Sequence, residues 1–325
     1  MSAESIKEAL ETRQVGIYFG AVLTAGVAAL LAPEIAAVRT GINPALALML
    51  FSTFLQVPLA DLGKAVVHVR FIAALLTANF IAIPLLVTAL VQFLPDDPSV
   101  RFGVLLVLLA PCIDYVVTFS HLGRADARLL AATPALLITQ MLLLPVYLGA
   151  FLGTDAAGLV QAGPFVQAFV WVIAVPLLFA ALVQLWTARS RTGERVSTAF
   201  GLLPVPATAL VLFVVVSAVV PQLGPAKQTA LCVVPIYLAF AVLAPLIGWS
   251  VARLFRLDAP TGRAVAFSAA TRNSLVVLPL AFAVPGAGPV LPAIIVTQTL
   301  VELTGELVYI RLIPRLGNRN SVTAI

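Results

Sequence analysis

Charged side chains are scarce in this sequence. Only 10% of its 325 residues are Asp, Glu, Lys or Arg, whereas 61% are hydrophobic. About a quarter of the residues in an ordinary soluble domain are charged. A soluble fold is therefore excluded, and the repeated long apolar runs predict membrane spans. The net charge of +5 lies in the segments that flank those runs, and no basic run is interleaved with aromatic residues. Nucleic acid is therefore not an expected partner, whereas the lipid bilayer is.

Cysteine and histidine are equally rare, with two residues of each. No CxxC pair occurs, which excludes a disulfide framework and the common zinc sites. The sequence also lacks HExxH and Asp-rich metal motifs, and Asp114 is the only aspartate within a predicted span. These absences exclude the usual intramembrane proteases and prenyl transferases. We expect a protein that is not an enzyme and that carries no cofactor and no structural metal.

Ten apolar segments are long enough to cross a bilayer, which takes about 20 residues. Spans 1 to 10 are 15–33, 42–60, 71–94, 102–120, 129–152, 163–186, 199–220, 228–252, 264–284 and 289–311. Of the nineteen Lys and Arg residues, fifteen lie in the termini and alternate loops when Arg311, the last residue of span 10, is counted with the C-terminal tail; three lie in the other loops, and Arg272 alone lies in the interior of a span. This asymmetry predicts that both termini are cytoplasmic. We expect a protein integral to the plasma (inner) membrane.

The two halves of the chain share short matches in the same order. At offsets of 158 to 162 residues, 44–51 matches 206–213, 134–142 matches 292–300, and Pro84 matches Pro245. The matches predict two five-span repeats, 1–152 and 153–325. Because five is an odd number, the second repeat is inverted relative to the first. Inverted repeats of this kind build secondary transporters, whose sites form at discontinuous helices near the midplane.

Polar residues interrupt spans 4 and 9, at 110–114 and 271–274. Pro111 removes a backbone donor and disrupts a helix. Unwound backbone at membrane depth is tolerated where it is buried in protein or lines a cavity. An arginine in hydrocarbon is costly and marks a functional site with a partner. The repeat offset of 158 places Asp114 opposite Arg272, so we predict that these two residues form a buried ion pair or share a substrate site.

Span 10 carries a stripe of polar residues. Gln298, Glu302 and Glu306 follow one another at steps of four, so they share one face of a helix. Glu302 is predicted to carry a proton or to be an alternative partner for Arg272. Glu306 is expected to form a hydrogen bond to another helix. Gln140 in span 5 repeats Gln298 in the first half of the chain.

With these features the chain resembles the bile acid:sodium symporter superfamily, and within it the arsenite efflux permeases. The likeness covers essentially all ten spans, and its local motif is Ala110-Pro111-Cys112. The resemblance implies that Cys112 is a functional cysteine, that Asn273 belongs to a binding pair, and that Asn79 stands where the sodium symporters have a sodium-binding Gln. It also implies a mobile core of spans 3–5 and 8–10 and a panel of spans 1, 2, 6 and 7.

Two positions depart from the patterns of these relatives. The arsenite permeases carry a Glu in span 9 about where Ser274 stands, and the sodium-site carboxylate of the symporters would fall near Ser268. Glu302 is a candidate substitute for that carboxylate.

The expected fold is all-α and polytopic, with ten transmembrane helices in two inverted repeats and with discontinuous helices 4 and 9 crossing near the midplane. Two functions fit it. The first is efflux of arsenite or antimonite in exchange for protons, with a thiolate as the soft ligand. The second is sodium- or proton-coupled transport of a small organic anion. The predicted substrate-binding residues are Cys112, Arg272, Asn273 and Ser274, and the predicted coupling residues are Asp114, Glu302, Asn79, Thr271, Gln298 and Gln140.

Overall fold

The computed structural model describes residues 3–56, 68–113, 115–126, 128–152, 167, 170–282, 284 and 289–317. These residues form helices and their connections, with one isolated antiparallel bridge and no strand among them. The described α-helices are α1 (Ala3–Leu31), α2 (Ile42–Gln56), α3 (Val69–Val91), α4 (Pro98–Leu108), α5 (Tyr115–Leu122), α6 (Arg128–Leu152), α7 (Val175–Thr187), α8 (Arg191–Phe200), α9 (Pro204–Val219), α10 (Leu223–Leu254), α11 (Ala259–Ala270), α12 (Ser274–Phe282) and α13 (Val290–Leu312).

Five helical segments within the described ranges are long and apolar enough to cross a membrane. They contain α1, α2, α3, α10 and α13. Helices α8 and α9 meet at a bend of 42° and make a sixth candidate if they are taken as one span. The other predicted spans correspond to α6, to α7, and to two pairs of short helices, α4 with α5 and α11 with α12. Span 6 begins at residues that are not described, so the number of ten spans stays a prediction.

Local sequence explains where the two interrupted spans begin and end. The side chain of Asp97 caps α4, because its Oδ1 accepts hydrogen bonds from the backbone N–H groups of Ser99 (2.8 Å) and Val100 (3.3 Å). The helix ends at Leu108, shortly before Pro111, which has no backbone N–H to donate. At the end of α11, Thr271 adopts an extended backbone (φ −99°, ψ 129°). Both predicted interruptions are therefore present as breaks in the helices.

Helix α3 contains a π-turn at Ala78–Ala82 that places Asn79 in the protein interior. Pro84, at the next turn, lacks the N–H that the carbonyl of Phe80 would accept in an α-helix. The hydroxyl of Tyr147 donates to that carbonyl instead, at 2.5 Å. Single π-turns are frequent at functional sites.

The helices divide into two units. The first contains α1, α2, α7, α8 and α9, and the second contains α3 to α6 and α11, while α10, α12 and α13 each contribute to both. In the first unit, α9 packs against α1 and α2, and the ring of Phe51 meets that of Phe200 edge to face, with centroids 5.2 Å apart. The polar residues of the interrupted spans lie in the second unit.

Helices α10 and α11 approach each other closely at Gly248. A Cβ atom there would lie 2.6 Å from the Cβ of Ala269 and 2.9 Å from the carbonyl of Val265. These distances are too short for any side chain, so Gly248 permits the helices to pack. At Gly224, on the same helix, a Cβ atom would have nothing within 4 Å.

We expect Gly248→Ala to lower the free energy of unfolding by about 1–3 kcal/mol, because a methyl group overpacks this contact. Gly224→Ala is the matched control, and it should be neutral or stabilising by at most about 1 kcal/mol, since alanine favours a helix. Thermal unfolding of the purified protein in detergent measures both. Equal effects of the two variants would contradict the close approach.

Candidate functional site

The two helix breaks lie side by side and are joined by backbone hydrogen bonds. The N–H of Cys112 donates to the carbonyl of Thr271 (3.1 Å), and the N–H of Asn273 donates to the carbonyl of Ala110 (2.7 Å). Together these bonds form a short antiparallel bridge between segments that are otherwise unwound. The bridge satisfies backbone groups that a helix would have satisfied, which buried polar groups require.

The bridge pairs Pro111 with Arg272, which are 161 positions apart. The same offset relates its two hydrogen bonds: adding 161 to the donor Cys112 gives the donor Asn273, and subtracting 161 from the acceptor Thr271 gives the acceptor Ala110, so the bridge has local two-fold character. The separation of Pro84 and Pro245 is also 161 residues. The bridge partner of Arg272 is thus Pro111, whereas Asp114, the predicted partner, lies outside the described residues.

The guanidinium of Arg272 is fully buried and is held by oxygen atoms. Its Nη2, which carries two hydrogens, lies within hydrogen-bond distance of three oxygens, Oδ1 of Asn79 (2.8 Å) and the carbonyls of Ser268 and Ala269 (2.7 Å each), so two of these oxygens share one hydrogen. Its Nη1 donates to the carbonyl of Leu108 (3.4 Å). The three carbonyls lie at the C-terminal ends of α11 and α4, which carry partial negative charge and stabilise a cation.

Asn79 is fixed in the orientation that Arg272 requires. Its Nδ2 donates to Oγ of Ser268 (2.9 Å) and to the carbonyl of Leu75 (3.0 Å). These bonds use both amide hydrogens, so the amide oxygen is the atom that faces the guanidinium.

Glu302 lies beside Arg272 and accepts hydrogen bonds from three donors. They are the hydroxyl of Tyr115, the backbone N–H of Arg272 (2.7 Å) and Nε2 of Gln298 (2.5 Å). A carboxyl group that only accepts is arranged as an ionised carboxylate. Glu302 is therefore placed to balance the charge of Arg272, although it meets the backbone of that residue rather than its guanidinium.

Glu306 lies one turn further along α13 and is also fully buried. Its Oε1 is 2.5 Å from Oγ1 of Thr271, which is itself 2.8 Å from the carbonyl of Phe267. A hydroxyl has one hydrogen and can donate only one of these bonds. Both bonds can form together only if Glu306 carries a proton and donates it to Thr271. The interhelical hydrogen bond expected for Glu306 is present.

Helices α5 and α12 begin directly after the breaks, at Tyr115 and Ser274. Oδ1 of Asn273 accepts from the backbone N–H of Val276 (3.4 Å) at the start of α12. Its Nδ2 is buried and has no hydrogen-bond partner among the described residues. Oγ of Ser274 accepts from the hydroxyl of Thr299 (2.9 Å). An available donor thus lies near the N-terminal end of a half-helix.

A small cavity of about 10 Å³ adjoins this network, close to the smallest volume that holds a water molecule. Its polar lining comes from Glu302, Gln298 and two tyrosines, Tyr237 and Tyr309. A single water molecule in this cavity would contact the side chains that surround the two glutamates.

The structure brings most of the predicted residues together. Hydrogen bonds connect Arg272 directly with Asn79 and Glu302, and through Glu302 with Gln298. Its chain neighbour Thr271 bonds to Glu306 and to the N–H of Cys112, and Cys112, Asn273 and Ser274 lie at the breaks themselves. Gln140 is buried on α6 and contributes none of these bonds among the described residues. Tyr115 and the carbonyls around Arg272 were not predicted from the sequence, and Ser268 was noted only as a position that lacks the symporters' carboxylate. A tyrosine within a broken span is a usable signal, because a buried hydroxyl needs a partner.

The family model described as "Sodium Bile acid symporter family" matches residues 43–224, which is more than half of the chain. The chain belongs to this family. The superfamily predicted from the sequence is thereby confirmed, and this symporter-family protein is an integral membrane transporter rather than an enzyme. No curated protein matches the chain. The family match ends before Arg272, Glu302 and Glu306, so their roles are argued from geometry.

Tyr115→Phe should lower the free energy of unfolding by about 1.5–3 kcal/mol, because it removes a donor from a buried carboxylate. Tyr147→Phe, the matched control, removes a donor from a neutral carbonyl and should cost about 0.5–1.5 kcal/mol. Thermal unfolding in detergent compares the two variants. A smaller loss for Tyr115→Phe than for Tyr147→Phe would count against an ionised Glu302.

Proposed function

We propose that this protein is a secondary active transporter that couples the movement of a small organic anion to that of protons. The observation that carries the proposal is the crossing of two broken helices at Pro111 and Arg272. Helices α5 and α12 both begin within four residues of that bridge. The N-terminal ends of half-helices carry partial positive charge, and transporters use them to bind anionic groups.

The side chains at the start of α12 support an anion site at this place. Nδ2 of Asn273 is a buried donor without a partner among the described residues, and the hydroxyl of Ser274 lies beside it in the chain. The guanidinium of Arg272 is not part of this proposal, because four oxygen atoms accept from its two terminal nitrogens and only its Nε has no partner among the described residues. We therefore assign recognition of the anion to Asn273, Ser274 and the two helix ends. The family's printed name, which includes bile acid, agrees with an organic anion.

Glu306 is the proposed proton carrier. The single hydrogen of Thr271 cannot satisfy both of its acceptors, which favours a protonated Glu306 in this conformation. Glu302, by contrast, has three donors and serves as the fixed counter-charge of Arg272. The charge of Glu302 acts on Glu306, and Glu306 in turn acts on Tyr309, while Arg272 acts on both Glu302 and Tyr309. A second negative charge beside Glu302 is unfavourable, so deprotonation of Glu306 requires a change in this network.

Other predictions remain parts of this proposal. The two-fold character of the bridge supports inverted repeats at 1–152 and 153–325. The two units separate α1, α2, α7 and α9 from α3 to α6 and α11, which supports a panel of spans 1, 2, 6 and 7 and a core of spans 3–5 and 8–10. The distribution of Lys and Arg supports two cytoplasmic termini and insertion in the plasma (inner) membrane, with transport by alternating access.

Efflux of arsenite or antimonite is the second candidate, and one observation favours it. Cys112 is fully buried within the break of span 4, where its backbone bonds to Thr271. A thiolate there would be a soft ligand for a trivalent metalloid. The two candidates differ in whether the thiol is required.

Thermal unfolding of the purified protein should separate the candidates. We expect the melting temperature to rise with one or more small carboxylates, since a ligand that binds the folded state stabilises it. Asn273→Ala should weaken that binding about tenfold, equivalent to about 1.4 kcal/mol, and Cys112→Ser should leave it unchanged. Stabilisation by arsenite alone, lost in Cys112→Ser, would refute the organic anion and support the metalloid.

Glu306→Gln should abolish proton-driven accumulation of the substrate in proteoliposomes while leaving exchange of substrate across the membrane intact. The amide keeps the shape of the side chain and a hydrogen bond to Thr271 but cannot release a proton. Glu302→Gln is the contrasting variant, and it should destabilise the protein by about 3–5 kcal/mol, because Arg272 loses its buried counter-charge. Accumulation driven by a pH gradient in Glu306→Gln would show that the proton is carried elsewhere.

A further inference from the structure

The cage around the guanidinium of Arg272 consists of oxygen atoms from neutral groups. One is the amide oxygen of Asn79, and three are backbone carbonyls from Ser268, Ala269 and Leu108. Carbonyls at the ends of half-helices are the ligands that secondary transporters use for sodium. Hard cations in general take carboxylate, carbonyl and amide oxygens as ligands. These four oxygen atoms could therefore coordinate a small metal cation as well as they accept hydrogen bonds from a guanidinium.

We propose that Arg272 is a built-in substitute for a transported cation. Its guanidinium fills the place at which the C-terminal ends of α4 and α11 would hold a sodium ion, so this protein transports its substrate without sodium. The inference rests on the proposed function. It excludes sodium as the coupling ion of that transport, so the proton is the coupling ion that remains. The family's name describes sodium symport, and by this inference the present protein does not use sodium.

The described oxygens around the guanidinium are already occupied by it and are not free to hold a second cation. Nη2 alone lies 2.7–2.8 Å from three oxygen atoms, and the side chain is fully buried. The ring of Phe240 covers the guanidinium from another side, with its centroid 5.5 Å from the guanidinium carbon, and adds a favourable cation–π contact. A sodium ion placed among the same oxygens would meet both the steric bulk and the positive charge of Arg272.

The backbone keeps the arginine in this position. Its neighbours Thr271 and Asn273 are tied to the other break by the two bridge hydrogen bonds, and its own N–H donates to Glu302. Asn79 is likewise oriented by Ser268, so the oxygen that would bind an ion faces the guanidinium. The cage and its occupant are thus assembled from the same two breaks.

A tethered cation has a consequence for energy coupling. An ion that is transported enters from one side and leaves on the other, and its gradient supplies the driving force. Arg272 cannot leave the protein, so it supplies the charge of a bound ion but none of the energy of an ion gradient. The driving force then comes from another group, and Glu306 is the buried carboxyl group that the hydrogen-bond arrangement favours as a proton carrier.

The test compares the native protein with Arg272→Gln and Arg272→Lys in detergent, in sodium chloride and in choline chloride at equal ionic strength. The native protein should unfold at the same temperature in both salts. Arg272→Gln vacates the cage, and its melting temperature should rise with sodium concentration and saturate. Arg272→Lys retains a tethered cation and should behave as the native protein does. Adding Asn79→Ala to Arg272→Gln should remove the response to sodium.

Two results would overturn the proposal. One is a sodium-dependent melting temperature in the native protein, a measurement that needs no variant and stands even if Arg272→Gln does not fold. The other is a folded Arg272→Gln variant whose melting temperature does not change with sodium concentration. Both measurements are made without a transported substrate, so they test this inference separately from the proposed function. If no organic-anion transport were found, the effect of sodium on the melting temperatures could still be interpreted.

Discussion

The hydrogen-bonded crossing of two unwound segments is the constraint on which the rest of the site depends. Backbone that leaves a helix within hydrocarbon must find partners inside the protein, because lipid offers none. The bonds from Cys112 to Thr271 and from Asn273 to Ala110 meet this requirement for both segments at once. Each break therefore stabilises the other. A single crossing also gathers the C-terminal ends of α4 and α11 at Arg272, and the N-terminal ends of α5 and α12 begin just beyond it.

The charges of the site follow from this arrangement. The ends of α4 and α11 favour a cation, and Arg272 provides it without leaving the chain. Glu302 balances that cation with three donors directed at its carboxylate. Glu306 then lies one turn from an existing negative charge in a fully buried position, where a neutral acid costs far less than a second carboxylate. In this arrangement Arg272 and Glu302 are a fixed cation and a fixed anion whose charges balance, and Glu306 holds the proton that can be exchanged.

Much of this site is predictable from the sequence, and the parts that are not have a physical reason. Pro111 predicts the break in span 4. Arg272 is identified because an arginine within a membrane span usually marks a functional site. The partners of Arg272 are mostly backbone carbonyls, which every residue has, so no residue type marks them. The sequence also does not fix one register, because its matches give offsets from 158 to 162. The bridge joins residues 161 apart, and the pairing of Arg272 with Asp114 that an offset of 158 selects stays a prediction. Short insertions between repeats shift such an alignment by a turn of helix.

The roles of the two glutamates show the same limit. A stripe at steps of four places Glu302 and Glu306 on one face of α13, and sequence alone favours the deeper residue as the proton carrier. What distinguishes them is the count of hydrogens around each carboxyl group, which depends on Tyr115 and Thr271 from other helices. The hydroxyl of Tyr115 lies closer to Glu302 than to the carbonyl of Arg272 (3.4 Å), so its one hydrogen is directed at the carboxyl group. The hydroxyl of Thr271 instead lies at short distances from both Glu306 (2.5 Å) and the carbonyl of Phe267 (2.8 Å). The protonation state of each carboxyl is therefore set by the partners that the crossing brings to it, since the two side chains are chemically identical.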